Sequence, residues 1–378
     1  MSAGDIAELN PNPMKKPEFS GNPFGLPRLF LTMTLLSNAL ATPVPADNLR
    51  ISYEGRHAVG PDHEVMMGFP GIITHIRVNS GQLAVKINAS SDDVYFNLSV
   101  DGAPPTRLRL AKGLNHLDLL KGALPGVHAV ELVRRTESWQ GVCQVLDYDP
   151  GSGEILEPSP LPSRKLMFIG DSITCGSSTE DSDVPGKPGA ERSNAAASFG
   201  MRLAARLKAQ VNLVSYGGRG IIRDWQGMKA INNAPQFYEL ALPDDPSALW
   251  DHAAYVPDAI GICLGTNDFS RGIPDQTEFV NGFIEFIRKV RRDAPAAPIF
   301  LIDSPILDDE PGEAPKLTVC RAYLDEVVRK LGSPMVTHVK IRHYKGIPGD
   351  AHLTGAEHKQ IADELEPVFR RSLHLEGN

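Results

Sequence analysis

Cysteine is scarce in this sequence. Its 378 residues hold four, Cys143, Cys175, Cys263 and Cys320, with no C-x-x-C pair and no H-E-x-x-H, so a zinc site has no local support. Spacing does not choose among the pairings open to four bridged cysteines. We read them as mostly unpaired, with Cys263 inside an apolar run where a thiol serves as a small hydrophobe. Runs of like charge are missing too. The 38 Lys and Arg are scattered among 46 Asp and Glu for a net charge of -8, which leaves no electrostatic footprint for a phosphate backbone and excludes nucleic acid as an expected partner. Also missing is an apolar run of membrane length, since Leu29 to Leu36 is too short to span a bilayer.

That short run has another use. Met14-Lys15-Lys16 precedes it and Ala39-Leu40-Ala41 follows, the order of a secretory signal with cleavage after Ala41. The polar, Pro-rich segment from Pro17 to Pro27 is long for such a signal, and Met14 makes a better start than Met1; the alternative is a disordered tail with one apolar patch. Residues 1–41 are set aside either way, and the signal reading implies a secreted or periplasmic protein.

What remains suffices for more than one core, since single domains run to roughly 100 to 200 residues. From 48 to 148, short alternating runs such as Gly71 to Val78 and Val94 to Val100 read as strands. Asn79-Ser80-Gly81, Asp101-Gly102 and Pro125-Gly126 punctuate them, the pattern of an antiparallel, jelly-roll-like β-sandwich. Residues 149–163, with Gly151, Gly153, Pro158, Pro160 and Pro162, read as a linker, unable to form a helix or a central strand. From 164 to 378 the period changes. Continuous apolar runs at Lys165–Ile169, Val211–Ser215, Ala259–Leu264, Ile299–Ile302 and Val336–Ile341 alternate with helix-period segments at Ser198–Lys208, Phe279–Arg292, Leu317–Leu331 and Ala356–Leu373. This is the signature of an α/β fold, a doubly wound parallel sheet whose ligands bind at the carboxyl ends of its strands.

Motifs fall at those ends. Gly170-Asp171-Ser172-Ile173-Thr174 follows the first strand, Gly217-Gly218-Arg219-Gly220 the second and Gly265-Thr266-Asn267-Asp268 the third, while Gly349-Asp350-Ala351-His352 follows the last. In this order they resemble the SGNH hydrolase superfamily, named for a Ser, Gly, Asn and His drawn from four blocks. Gly170 to Gly176, Gly217 to Arg223, Arg134-Thr136-Glu137 and the leading β domain look most like carbohydrate esterase family 2, the acetyl-xylan-esterase-like deacetylases, from about Asn48 onward. The resemblance implies a flavodoxin-like SGNH-hydrolase sheet.

It also implies roles. Ser172 is the expected nucleophile and His352 its base, because a serine hydroxyl is a poor nucleophile at neutral pH and imidazole titrates near it. The oxyanion would meet the backbone N–H of Ser172, the backbone N–H of Gly218 and the side-chain amide of Asn267. Most of the superfamily sets the acid that orients the histidine three residues before it; here that position is Gly349, and the acid, Asp350, stands two before His352. Either Asp350 reaches Nδ1, the reading we favour, or a backbone carbonyl holds the ring in a dyad.

Other residues read more plainly. Asp171 and Asp268 brace turns, and His252, His338, His343 and His358 are structural or surface groups. Arg219 and Arg223 either meet an anionic substrate or brace their loop. The long segments Ser177–Ser193 and Trp225–Tyr255 are functional or disordered by length. Trp225, ahead of Phe237, Tyr238 and Trp250, is the candidate to stack on sugar; the alternative is that such rings pack the loop onto the sheet. The expected protein is a serine esterase that deacetylates carbohydrate esters through an acyl-enzyme, with no metal or organic cofactor. Its expected partner is an acetylated oligosaccharide or polysaccharide, without nucleic acid or a membrane span, and the oligomeric state stays open. Two alternatives stand beside it. One is a lipase- or thioesterase-like hydrolase of longer acyl esters, for which the sequence has no long apolar lid. The other is a carbohydrate-binding protein on a hydrolase scaffold, against which stands the intact Ser, Gly, Asn and His set.

Overall fold

Alternation builds the amino-terminal layers. In Ile73–Asn79 every second side chain is buried, and Leu83–Ala89 repeats the pattern, as strands do when one face meets a core and the other does not. A computed structural model describes residues 42–180, 189–350 and 352–375. The expected signal sequence, its cleavage after Ala41 and part of the Ser177–Ser193 segment lie outside the described residues.

Two six-stranded antiparallel sheets face each other. One runs Ala58–Val59, Val65–Met67, Cys143–Asp149, Leu83–Ala89 and Gly113–Leu120, with Val44–Pro45 paired to Cys143–Asp149. The other runs Glu154–Leu156, Ile73–Asn79, Val127–Arg134, Tyr95–Val100 and Thr106–Arg109, with Ile51–Glu54 paired to Ile73–Asn79. Glu154–Leu156 lies within the stretch read as a linker. Those three residues sit between Gly153 and Pro158, carry no proline, and add an edge strand in register with Arg77 to Asn79.

The second half is a five-stranded parallel sheet. Its strands are β1 (Arg164–Gly170), β2 (Ala209–Ser215), β3 (Ala259–Cys263), β4 (Ile299–Ile302) and β5 (Val336–Val339), in the order β2-β1-β3-β4-β5. Its helices are α1 (Ser172–Cys175), α2 (Phe199–Arg206), α3 (Ala234–Phe237), α4 (Gln276–Asp293), α5 (Lys316–Leu331) and α6 (Gly355–Ser372). Both faces of the sheet are covered, and successive strand residues divide between them. Met167 and Ile169 join a cluster with α4 and α5, while Leu166 and Phe168 join one with α2 and α6. This division explains the unbroken apolar runs, which a one-sided sheet would interrupt with polar residues.

The sandwich is not a separate body. Its core residues Val65, Ile76, Leu83 and Val145 belong to the same buried cluster as Met167, Ile169 and the α4 face. Among the described residues no helix is long and apolar enough to cross a membrane.

Phe168 is fully buried, edge-on to Phe199 at 5.6 Å between ring centroids and 5.5 Å from Phe369. Phe168→Ala is expected to lower the unfolding free energy by about 3 to 5 kcal/mol in a urea titration. A loss under about 1 kcal/mol would mean that the rings close over the gap.

Candidate active site

Strand order places the site. The chain reverses direction across the sheet between β1 and β3, which opens a crevice at their carboxyl ends. Asp171 and Ser172 follow β1, and Asn267 and Asp268 follow β3. Asp171, fully buried, caps α1 by accepting the Ile173 N–H at 3.0 Å. Ser172 is therefore the first helical residue, and its backbone N–H has no acceptor inside the helix.

The turn after β2 brings the second motif alongside. Gly218 adopts φ +78°, and a Cβ there would lie 2.8 Å from Trp225 Cδ1, so both conformation and space call for glycine. Asp268 holds the turn in place. Its buried carboxylate accepts the N–H groups of Ile221 (3.0 Å), Ile222 (2.9 Å) and Arg223 (3.3 Å). Burial pushes Asp268 up to about 6 despite those donors. Arg223 donates to Asp268 O and Gly272 O, each at 2.7 Å, and Arg219 lies over Tyr216 with its Nη1 3.9 Å from Asp224 Oδ2. Both arginines brace the loop.

His352 arrives from the far end of the chain. Gly355 N–H donates to Thr179 O at 2.9 Å, which docks the His352 segment against residues just beyond α1. Thr354 and Glu357 form a capping box that starts α6 three residues after the histidine. Asp350 Oδ1 lies 2.5 Å from His352 Nδ1, and Arg192 Nη1 is 3.5 Å from Asp350 Oδ2. The offset of two residues thus still brings a carboxylate to the ring. With Nδ1–H donating to Asp350, the ring keeps its Nε2 lone pair for a proton. Burial pulls His352 down, but the Asp350 hydrogen bond and the charges of Glu137 and Asp171 outweigh it, and the net shift is upward. The His352 bond holds Asp350 below the usual carboxylate range against its own burial.

Asn267 is mostly buried and already engaged. Its Nδ2 donates to Asp171 Oδ2 at 3.2 Å and to Arg219 O at 2.9 Å. An oxyanion calling on this amide has to displace one of them, and the longer is the weaker. Burial pushes Asp171 up to about 7.

The aromatic residues of the 225–255 loop divide. Phe237 and Tyr238 are buried, and Tyr238 and Trp250 lie against the guanidinium of Arg56 at 5.1 and 5.2 Å from their centroids. Arg56, itself buried, donates to the Tyr238 and Leu240 carbonyls and pins this loop to the sandwich. These rings are packing, as the alternative reading held. Trp225 is half exposed beside Gly218. The other histidines are also engaged: His358 Nδ1 accepts from Phe199 N–H, His343 pairs with Leu307 O, and His338 lies between Asp303 and Asp325. Glu239, His252 and Asp293 converge as metal ligands would, but Lys289 (3.0 Å) and Arg292 (3.3 Å) already pair with Glu239, and Arg292 also pairs with Asp293. A concavity of about 630 Å³ lined by Arg164, Asp258, Pro298 and Met335 opens at the amino end of the sheet, away from the four motifs.

Relatives fit this arrangement. Residues 53–160 match the carbohydrate esterase 2 N-terminal family, and residues 168–366 match the GDSL-like lipase/acylhydrolase family. An acetylxylan esterase / glucomannan deacetylase of Cellvibrio japonicus is 33% identical over 342 residues, 90% of this chain and 93% of its own. The chain belongs to carbohydrate esterase family 2. A solved family two carbohydrate esterase from Cellvibrio japonicus superposes with a TM-score of 0.83 at 32% identity, covering 88% of this chain and 98% of that one. One from Clostridium thermocellum, in complex with cellohexaose, gives 0.79 at 29% identity, covering 86% and 99%. This family 2 chain is thus a carbohydrate-esterase-type hydrolase of the GDSL superfamily. Its jelly-roll-like sandwich and SGNH-type sheet are those the family carries.

The sandwich adds to the site what sequence reasoning missed. Glu137 is buried, with Oε2 where a Cβ on Gly217 would stand, and burial pushes its carboxyl upward. Trp139 lies at the same glycine. The strand-like context of this segment hides both, since their partner turn lies far along the chain.

Asp350→Asn tests the orienting acid. Without that charge, His352 loses the strongest of the influences that raise it, so the acid limb of kcat/KM should move to lower pH while kcat falls about 10²- to 10⁴-fold. An unmoved limb with a rate within about twofold of the native one would make Asp350 a bystander.

Proposed function

We propose that this chain removes acetyl groups from carbohydrate esters through a covalent acyl-enzyme on Ser172. The observation that carries this reading is the Asp350–His352 contact of 2.5 Å at the carboxyl edge of the sheet, on the loop docked beside α1. It supplies an oriented base for the serine that opens that helix. The carbohydrate side rests on the match along nearly the whole length to an acetylxylan esterase / glucomannan deacetylase.

The steps balance without a cofactor. Ser172 Oγ adds to the acetyl carbonyl carbon as its proton passes to His352 Nε2, and the carbonyl π pair moves to oxygen. That oxyanion draws on the N–H of Ser172, the N–H of Gly218 and, once it leaves its present partners, the Asn267 amide. Collapse breaks the ester C–O bond, and the sugar oxygen takes the proton from His352. Water then attacks the acetyl-serine, giving one proton to His352; collapse breaks the acyl–Oγ bond, His352 reprotonates Ser172, and acetic acid departs and ionises in solvent. Asp350 stays ionised throughout and offsets the charge of the transient imidazolium. We also place the activity after export, in the periplasm or outside the cell, in keeping with the signal-like residues ahead of Ala41.

Hydrolysis of 4-nitrophenyl acetate, butyrate and octanoate, with acetate release from acetylated xylan, separates the readings. The expected profile is fastest on acetate with release from xylan. Rates that climb with chain length would favour an enzyme of longer acyl esters, and glycan binding without hydrolysis a carbohydrate-binding protein. Ser172→Ala is expected to cut turnover about 10⁶-fold with an unchanged circular dichroism spectrum. Retention of most activity in that variant would remove the serine mechanism.

A further inference from the structure

The chain has three tryptophans, and two of them stand half exposed beside one turn. A Cβ on Gly218 would meet Trp225 at 2.8 Å, and one on Gly217 would meet Trp139 Nε1 at 3.1 Å. Trp225 is 51% exposed and Trp139 57%, although their ring area would ordinarily draw them inward. Trp225 belongs to the loop that follows the turn; Trp139 comes from the sandwich.

The segment carrying Trp139 is held from several directions. Arg134, fully buried, donates to Met67 O at 2.5 Å, to Glu137 O at 3.3 Å and to Gly141 O. Glu137 N–H donates to Gln140 Oε1 at 2.8 Å, and Ser138 Oγ donates to Ser215 O, at the end of β2, at 2.9 Å. Glu137 is 4% exposed, and its Oε2 faces the place where the indole Nε1 meets Gly217. A flat apolar ring carried on a segment held this firmly and left open to solvent is a preorganised surface, because little backbone freedom is lost when a ligand settles on it.

We propose that Trp139 is a specificity-determining residue, a platform on which a pyranose ring of the glycan stacks beside the Gly217–Gly218 turn. This rests on the carbohydrate-ester reading above. The apolar C–H face of a pyranose matches an indole, whereas the acetyl group alone has nothing to lay on it. Trp139 therefore acts on the glycan and not on the ester chemistry. Glu137 acts through it as a positioning residue, its carboxyl facing the indole edge.

The test compares kcat and KM of the full chain and its Trp139→Ala and Trp139→Phe variants on acetylated xylo-oligosaccharides and on 4-nitrophenyl acetate. In Trp139→Ala, KM for the oligosaccharide should rise about tenfold with kcat changed far less, and kcat/KM should fall about tenfold more on the oligosaccharide than on the aryl ester. Trp139→Phe, which keeps a flat ring, should recover most of the loss. Equal losses on both substrates would make Trp139 a brace for the turn and overturn the proposal, as would an unchanged KM. If the unaltered enzyme cleaves the aryl ester but no acetylated glycan, the carbohydrate reading fails and takes the platform with it. If it deacetylates glycan and Trp139→Ala does so equally well, only the platform fails.

Discussion

A carboxylate taken out of water must be ringed by donors or give up its charge. Asp268 meets that demand with backbone, taking three successive N–H groups from Ile221 to Arg223, and Arg223 returns a bond to its carbonyl. One buried side chain after β3 thereby dictates the course of the chain after β2. The left-handed Gly218, the entry to the Trp225 loop and the carbonyl of Arg219 that receives Asn267 all hang from that clasp. A second strut, Asn267 to Asp171, ties the same corner to the turn that presents Ser172. The site is a set of turns locked to one another by buried polar groups, and the sheet fixes where those turns begin.

The sheet was the most legible part, for a physical reason. Strands covered on both faces leave unbroken apolar runs such as Lys165–Ile169, and amphipathic helices such as α4 set Phe279, Phe283, Phe286 and Val290 on one side. Once the strands are placed, the rule that ligands gather at their carboxyl ends picks out Gly170, Gly217, Gly265 and Gly349 as the starts of four site turns. The edge strand Glu154–Leu156 escaped because three residues in a Pro- and Gly-rich stretch have no periodicity to show. The cage that Phe69, Tyr238 and Trp250 form around Arg56 escaped because nothing local separates a ring that packs from one that waits for a ligand.

Asp350 shows where spacing misleads. Its offset from His352 departs from the common pattern, yet Oδ1 reaches the ring at 2.5 Å. Sequence distance in a loop is a poor proxy for reach. Glu137 and Trp139 make the converse point. They are strand-flanking residues by sequence and neighbours of Gly217 by packing, which a sandwich core continuous with one face of the parallel sheet allows. The sandwich reaches the turns beyond the sheet because the two layers share one core.

The four free cysteines are all buried, one in a sandwich strand, one in α1 behind the serine, one closing β3 and one on the inner face of α5. Burial raises the pKa of each thiol, so none offers a thiolate to a reagent while the fold is closed. They amount to a set of internal tamper seals. Because each lies in a different layer, the order in which a small alkylating agent marks them would map how the molecule comes apart, with Cys175 reporting whether the corner beside Ser172 opens before the sheet behind it.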